Sequence, residues 1–240
     1  MGLNNLAVLY KYMGRFAKAE RLYRRALKIT EKALRPDHPD VATIYHNLGG
    51  LEHARGRCAA GEPFARKSVE IRRKALGPRH PDVAADMAAL AAILDGQGKY
   101  DEAERFYRRA IAVFRRAYGA EHYELAINYN NLAALRYAVG DLASARRLYR
   151  RALAMKEKLL GAGHPDVAMT LNNLAVLEKA EGRNARARAL FQQALAIFER
   201  ALGPRHPKVL TCRANYAALP LAARRSRGVS SRRGFPDGGR

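Results

Sequence analysis

Asn4 to Leu9 reads NNLAVL, and the same six residues return from Asn172 to Leu177. The copies lie 168 residues apart, which is four steps of 42, and the rest of the chain keeps that step. His38, His80, His122, His164 and His206 share one column, and Gly14, Gly56, Gly98, Gly140 and Gly182 another. Leu6, Leu48, Leu90, Leu132 and Leu174 make a third, closed by Tyr216. Small residues hold a fourth (Ala26, Ser68, Ala110, Ala152, Ala194) and a fifth (Ala19, Gly61, Ala103, Ala145, Ala187). Coincident columns without an insertion mark a repeat array of about five units.

Each unit reads as two helices. In HPDVATIYHNLGGLEHARG, from His38 to Gly56, Pro39 suits the first helical position, where its missing N–H costs nothing. Asp40 meets the positive end of the helix dipole. Val41, Ile44, Tyr45, Leu48 and Leu51 then recur at helical spacing, and Gly56 supplies the left-handed stop. The second helix is plainest in KYDEAERFYRRAIAVFRRAYG, from Lys99 to Gly119, where Tyr100, Ala103, Phe106, Tyr107, Ala110, Ile111, Phe114 and Tyr118 form one broad apolar stripe. Its roughly 18 residues would span about 27 Å. Gly61 and Pro63 predict a start about one turn late in the second unit's second helix. Neither helix can bury its stripe alone, so the units must lean on one another. The expected fold is all-α: a right-handed α-solenoid of stacked antiparallel helix pairs over residues 1–219. The segment 220–240, rich in Arg, Gly and Ser, reads as a basic disordered tail.

The run N-N-L-A-x-L…G-x-Y-x-E-A-E-x-x-Y-x-R-A-L resembles the tetratricopeptide (TPR) consensus. The 42-residue form with H-P-D-V-A linkers is similar to the TPR domain of kinesin light chain and its bacterial relatives, over Leu3 to Leu219. The resemblance implies a non-enzymatic protein–protein interaction scaffold, whose concave groove, lined by the first helix of each pair, holds an extended peptide or a partner's surface. It also implies that Asn side chains pair with the peptide backbone. The matching positions are Asn5, Asn47, Asn131, Asn173 and Asn215, with Ala89 breaking the row. Asn4, His46, Asn130 and Asn172 share that face, followed by Lys11, His53, Tyr137 and Lys179. An amide carries donor and acceptor alike and so can satisfy an extended strand of any sequence; it can equally bridge neighbouring helices. The column that in some relatives clamps a C-terminal carboxylate holds Thr43, Ala85, Ile127, Met169 and Thr211, so no such clamp is expected.

Other chemistry is weakly signalled. Five histidines one unit apart stand roughly 10 Å from each other, too far to share a metal, and read as caps of the first helices. There is no GxxxxGK[ST], no GxGxxG after a strand and no GxSxG, so neither an enzyme nor a cofactor is expected. Two cysteines, Cys58 and Cys212, form no disulfide framework, and Cys58 stands in an apolar column as a core filler. No apolar run suits a membrane span, and the reading is cytoplasmic.

The charge is extreme: 44 Lys and Arg against 22 Asp and Glu, a formal +22. Arg24-Arg25, Arg66-Lys67, Arg108-Arg109 and Arg150-Arg151 recur on the second helices, where a solvated outer face is the expected fate. The alternative is a polyanion-binding module, using the convex Arg rows and the tail to hold an acidic protein, lipid or, without sequence specificity, nucleic acid. A further alternative is the sensor arm of a larger signalling protein. The first unit opens inside its first helix, which predicts either a fragment of a longer chain or oligomerisation through an uncapped end.

Overall fold

The computed structural model describes residues 2–220, among which the secondary structure is entirely helical. Eleven helices follow in order: α1 Gly2–Tyr12, α2 Phe16–Ala33, α3 Pro39–Ala54, α4 Cys58–Leu76, α5 Pro81–Asp95, α6 Tyr100–Tyr118, α7 Tyr123–Ala138, α8 Leu142–Leu160, α9 Pro165–Ala180, α10 Asn184–Leu202 and α11 Pro207–Ala217. They alternate as the period requires, odd-numbered first helices and even-numbered second helices, in an α-solenoid of stacked pairs. The tail expected at 220–240 lies, beyond Pro220, outside the described residues.

The histidine column caps the first helices. The Nδ1 atoms of His38, His80, His122, His164 and His206 accept from the backbone N–H two residues on, at 3.1, 3.1, 3.3, 3.1 and 3.2 Å. Each bond satisfies one of the orphan donors at a helix start. Gly56 and its counterparts sit at φ near +70 to +85°, where a side chain would be strained.

One expectation fails. Pro63 does not delay its helix: α4 begins at Cys58 and carries Pro63 within its second turn. Pro63 and Ala59 both face solvent, so the Ala59 carbonyl that loses its partner can bond water. Packing fixes the turn before Pro63, because a Cβ on Gly61 would lie 3.0 Å from the Gly49 oxygen of α3. Tertiary contact outweighs the local preference.

The small column lets paired helices approach. Ala19, Ala103, Ala145 and Ala187 are fully buried. Above and below them the core runs from unit to unit. One cluster joins Val83, Ala84 and Met87 of α5, Ala110 and Phe114 of α6, Leu125, Ala126 and Tyr129 of α7, and Ala152 and Met155 of α8. Cys58 is half-buried against the neighbouring cluster, as a core filler would be. Cys212 is buried, and burial pushes its thiol up to about 11.

Ion pairs link each unit to the next at the end where second helices begin. Glu62 of α4 takes Lys99 Nζ at 2.7 Å and Gln97 Nε2 at 2.8 Å. Glu20 takes Arg55 at 2.7 Å, and Glu104 takes Arg136. In the next unit the polarity is inverted: Arg146 donates to Glu178 at 3.0 Å.

Two measurements test this packing. Ala103→Leu should lower the urea midpoint, with a cost of about 1–3 kcal/mol for forcing a larger side chain between α5 and α6. The hydrogen bond from Lys99, with those from Gln97 and Arg66, holds the Glu62 carboxyl down at about 2, against 4.5 normally. A depressed native pKa means stability that is full above 4.5 and lost as pH falls toward 2. Glu62→Gln should therefore make acid unfolding shallower across that window, read by circular dichroism.

Candidate functional site

Successive first helices touch one another, α1 with α3, α3 with α5, α5 with α7 and α7 with α9, while no two second helices come as close. The array therefore curves with the first helices inside. Their half-exposed positions form the inner wall: Thr43, Asn47 and Gly50 on α3; Ala85, Ala89 and Ala92 on α5; Ile127, Asn131 and Ala134 on α7; Met169, Asn173 and Val176 on α9.

The amides of this wall bond to one another. Asn47 Nδ2 donates to Asn4 Oδ1 at 2.9 Å, Asn173 Nδ2 to Asn130 Oδ1 at 3.4 Å, and Asn215 Nδ2 to Asn172 Oδ1 at 3.2 Å. Within helices, Asn130 and Asn172 each donate to the following Asn at 3.4 Å. Asn4 and Asn130 are buried by these contacts, at 9% and 6% exposure; Asn47, Asn131, Asn172, Asn173 and Asn215 stay half-exposed, and Asn5 is exposed. The amides thus tie neighbouring units together. Each carries two donors and an acceptor with two lone pairs, so a ladder bond leaves capacity on the half-exposed members.

Ala88 and Ala89 interrupt the ladder on α5, and a different contact spans the gap. His46 Nδ1 meets Asp86 Oδ1 at 2.8 Å, and Arg72 Nε donates to Asp86 Oδ2 at 2.7 Å while its terminal nitrogen reaches Thr43 Oγ1 at 3.1 Å. Two units further on, Lys156 stands where Arg72 does. Its ammonium, 1% exposed, donates to Thr170 Oγ1 at 3.0 Å, and Thr170 in turn donates to Asn130 at 3.2 Å. In both places a cation, Arg72 partly and Lys156 fully shielded from water, thus orients a polar group of a first helix.

Lys11, His53, Tyr137 and Lys179 fall in a row with a fifth member that the sequence reading passed over. Asp95 occupies the same column, and the 42-residue step alone would have found it. Burial raises its carboxyl pKa, a rise that the charge of His53 partly offsets, and burial lowers that of the Lys11 ammonium. The row therefore changes character along the wall, from cationic ends to an acidic centre.

Among the described residues no three His, Cys, Asp or Glu side chains are placed to hold a metal ion, and no helix is long and apolar enough to cross a membrane.

The tetratricopeptide repeat family model matches residues 1–60, 40–116, 89–158 and 166–227. No curated protein matches the sequence. Among solved structures, BtubC (BKLC) from P. vanneervenii is 30% identical, with a TM-score of 0.64 over 99% of this chain and 86% of its own. A kinesin light chain-type protein of Podosopora anserina, with nearly identical TPR-like repeats, is 25% identical, with a TM-score of 0.66 over 84% of this chain and 95% of its own. A Rap protein, solved in complex with Competence and Sporulation Factor, shares the fold at 15% identity and a TM-score of 0.70, over 88% of this chain and 61% of its own.

The buried ammonium carries its own test. Burial lowers the Lys156 pKa below the ordinary 10.5, so folding penalises its charged form. The unfolded chain then binds more protons just below 10.5, and stability rises with pH through that window. Lys156→Met should raise the urea midpoint at neutral pH, since Phe114 and Phe198 fill the equivalent places without charge. The advantage over wild type should shrink as pH approaches 10.5.

Proposed function

Because the chain belongs to the tetratricopeptide repeat family, we propose that it is an interaction scaffold without catalytic activity of its own, which holds an extended peptide, or an extended segment of a partner protein, along its inner wall. The observation that carries this reading is the line of half-exposed amides on successive first helices, Asn47, Asn131, Asn173 and Asn215. An extended backbone presents alternating N–H and C=O groups, and a row of amides can meet both. The wall is open along its length, which suits a strand better than a compact ligand. The alanines of α5 leave its middle recessed, beside Asp95. There a ligand has room for a bulky side chain and a carboxyl to meet a basic one.

The Rap protein's complex with Competence and Sporulation Factor is a property of that protein, and it supports the reading as a partner-bound instance of a similar fold. The ladder also explains why the proposed contact positions serve stability: an amide fixed by its neighbour is already oriented before a ligand arrives, which lowers the ordering cost of binding.

The test is selection of peptides from a library of random dodecamers displayed on phage, followed by binding measurements with the selected peptides. Asn131→Leu combined with Asn173→Leu should weaken capture at least tenfold while the helical circular dichroism signal stays unchanged. Undiminished binding by this double variant, folded as wild type, would refute the inner-wall reading.

A further inference from the structure

On the opposite wall the second helices stand apart, and clefts open between them. The same cleft recurs at successive steps. One, of about 320 Å³, lies between α4 and α6, with Arg73 and Arg109 on its sides; the next, of about 650 Å³, lies between α6 and α8, with Arg115, Arg116 and Arg151 in the equivalent and adjoining places. Both have apolar floors, in the second case Ile111, Leu132, Leu148 and the ring of Tyr129.

The charges of these clefts do not follow the repeat. At the Arg115 position the other units carry Glu31, Glu157 and Glu199, and only Arg73 and Arg115 are basic. A general arginine bias would not reverse the sign in two adjacent units alone. A carboxylate then separates the clefts, since Arg73 and Arg109 make no ion pair among the described residues but share their cleft with Glu70. Between α4 and α6, Arg66 is held by Glu62 and Glu102, and the Glu70 carboxylate lies on the cleft with Lys67 and Lys74. At the corresponding place between α6 and α8, Ala112 replaces Glu70. Arg108 is taken up by Glu104, but Arg115, Arg116 and Arg151 make no ion pair among the described residues. Between α8 and α10 the equivalents of Arg115 and Arg151 are Glu157 and Gln193. A single cleft therefore unites unpaired guanidinium groups on both walls with an apolar floor free of carboxylates. One of them is already placed: the Arg151 guanidinium stacks 4.4 Å above the Tyr129 ring, which restrains it without using its hydrogen-bond donors.

We propose that the α6–α8 cleft is a second docking site, on the outer wall, for an acidic segment of a partner protein that carries an apolar residue among its carboxylates. The apolar side chain enters between Ile111 and Leu148, and carboxylates on either side of it take Arg115 and Arg116 on one wall and Arg151 on the other. Guanidinium groups match carboxylates in paired, two-pronged hydrogen bonds. The apolar floor favours such a segment over nucleic acid, whose backbone offers it nothing to bury and gains from an unbroken basic track rather than one cleft. The site needs no part of the inner wall, so it stands whether or not that groove takes a peptide. A partner could be held on both walls at once, with the avidity this brings.

The test uses the full chain and a fluorescein-labelled peptide of one leucine between two runs of three glutamates, read by anisotropy. Arg115→Glu installs the residue three other units already carry, so it should fold normally and weaken binding at least tenfold. Arg151→Gln, the residue of the next unit, should weaken it severalfold and serves if the first variant is unstable. Arg25→Glu, on α2 away from the cleft, should change binding less than twofold. Replacing the peptide's leucine by glycine should weaken binding severalfold on the wild-type chain. The proposal is overturned if Arg25→Glu costs as much as Arg115→Glu, which would mean diffuse charge alone. It is equally overturned if the leucine makes no difference, or if an oligothymidylate of equal charge binds as tightly and loses as much on Arg115→Glu.

Discussion

The structure depends on apolar faces that no single helix pair can cover. Phe114 of α6 shares its surroundings with Leu125, Ala126 and Tyr129 of α7 and with Met155 of α8. Half of the buried residues of that cluster belong to the following unit. Order therefore propagates along the chain by nearest-neighbour contact, and the unit of stability is the interface rather than the pair. Fully buried alanines bring each first helix close to its partner, while successive first helices touch and second helices do not. The inner wall of amides and the outer clefts are two consequences of that one difference in approach.

Units so alike could stack in the wrong order if apolar burial were the only guide. The charges where second helices begin resist this. Glu20, Glu62 and Glu104 each meet a cation from the following unit's end, but the next position is Arg146, which meets Glu178. Slipping the array by one unit there would set Glu104 against Glu178 or Arg146 against Arg136. Arg146 and Glu178 are well shielded from water, so the like-charge penalty would be felt. The column of Thr30, Arg72, Phe114, Lys156 and Phe198 works in the same sense, because Arg72 requires Asp86 and Lys156 requires Thr170. The interfaces at Arg72, Arg146 and Lys156 are thus marked by polar pairs unlike those of their neighbours, at some expense of stability.

Much of this was legible in the period. The cap at His38, the left-handed Gly56 and the burial of Ala103 follow from residue type and column position, since a solenoid repeats its backbone faithfully. Pro63 was misread because a local rule was applied where Gly61 against Gly49 had already fixed the turn. The amides were found by type, but not their partners: whether Asn173 reaches toward a ligand or toward Asn130 depends on a lateral spacing the sequence does not carry. Asp95 does not stand out by residue type, because members of its column differ in sign. The arginines of the outer wall were plain from the start, but which of them were already paired was not. The columns already distinguish Arg115 from Arg108, but that Glu104 takes up Arg108 is seen only in the contacts.

The two walls diverge for a physical reason. Inner-wall residues lie close to their counterparts on the next helix, so a polar side chain there must agree with its neighbour. Amides, with donor and acceptor together, are the simplest self-consistent choice, and where the chain abandons them at Ala88 and Ala89 it supplies His46 with Asp86 instead. Outer-wall residues are separated by clefts, and a charge there can change sign without disturbing the stack, as Arg115 does beside Glu157. Variation is therefore constrained on the inside and permitted on the outside. An array built this way keeps mutually bonded amides on one wall while the other acquires local chemistry one column at a time, and the reversal at Arg73 and Arg115 is the clearest instance in this chain.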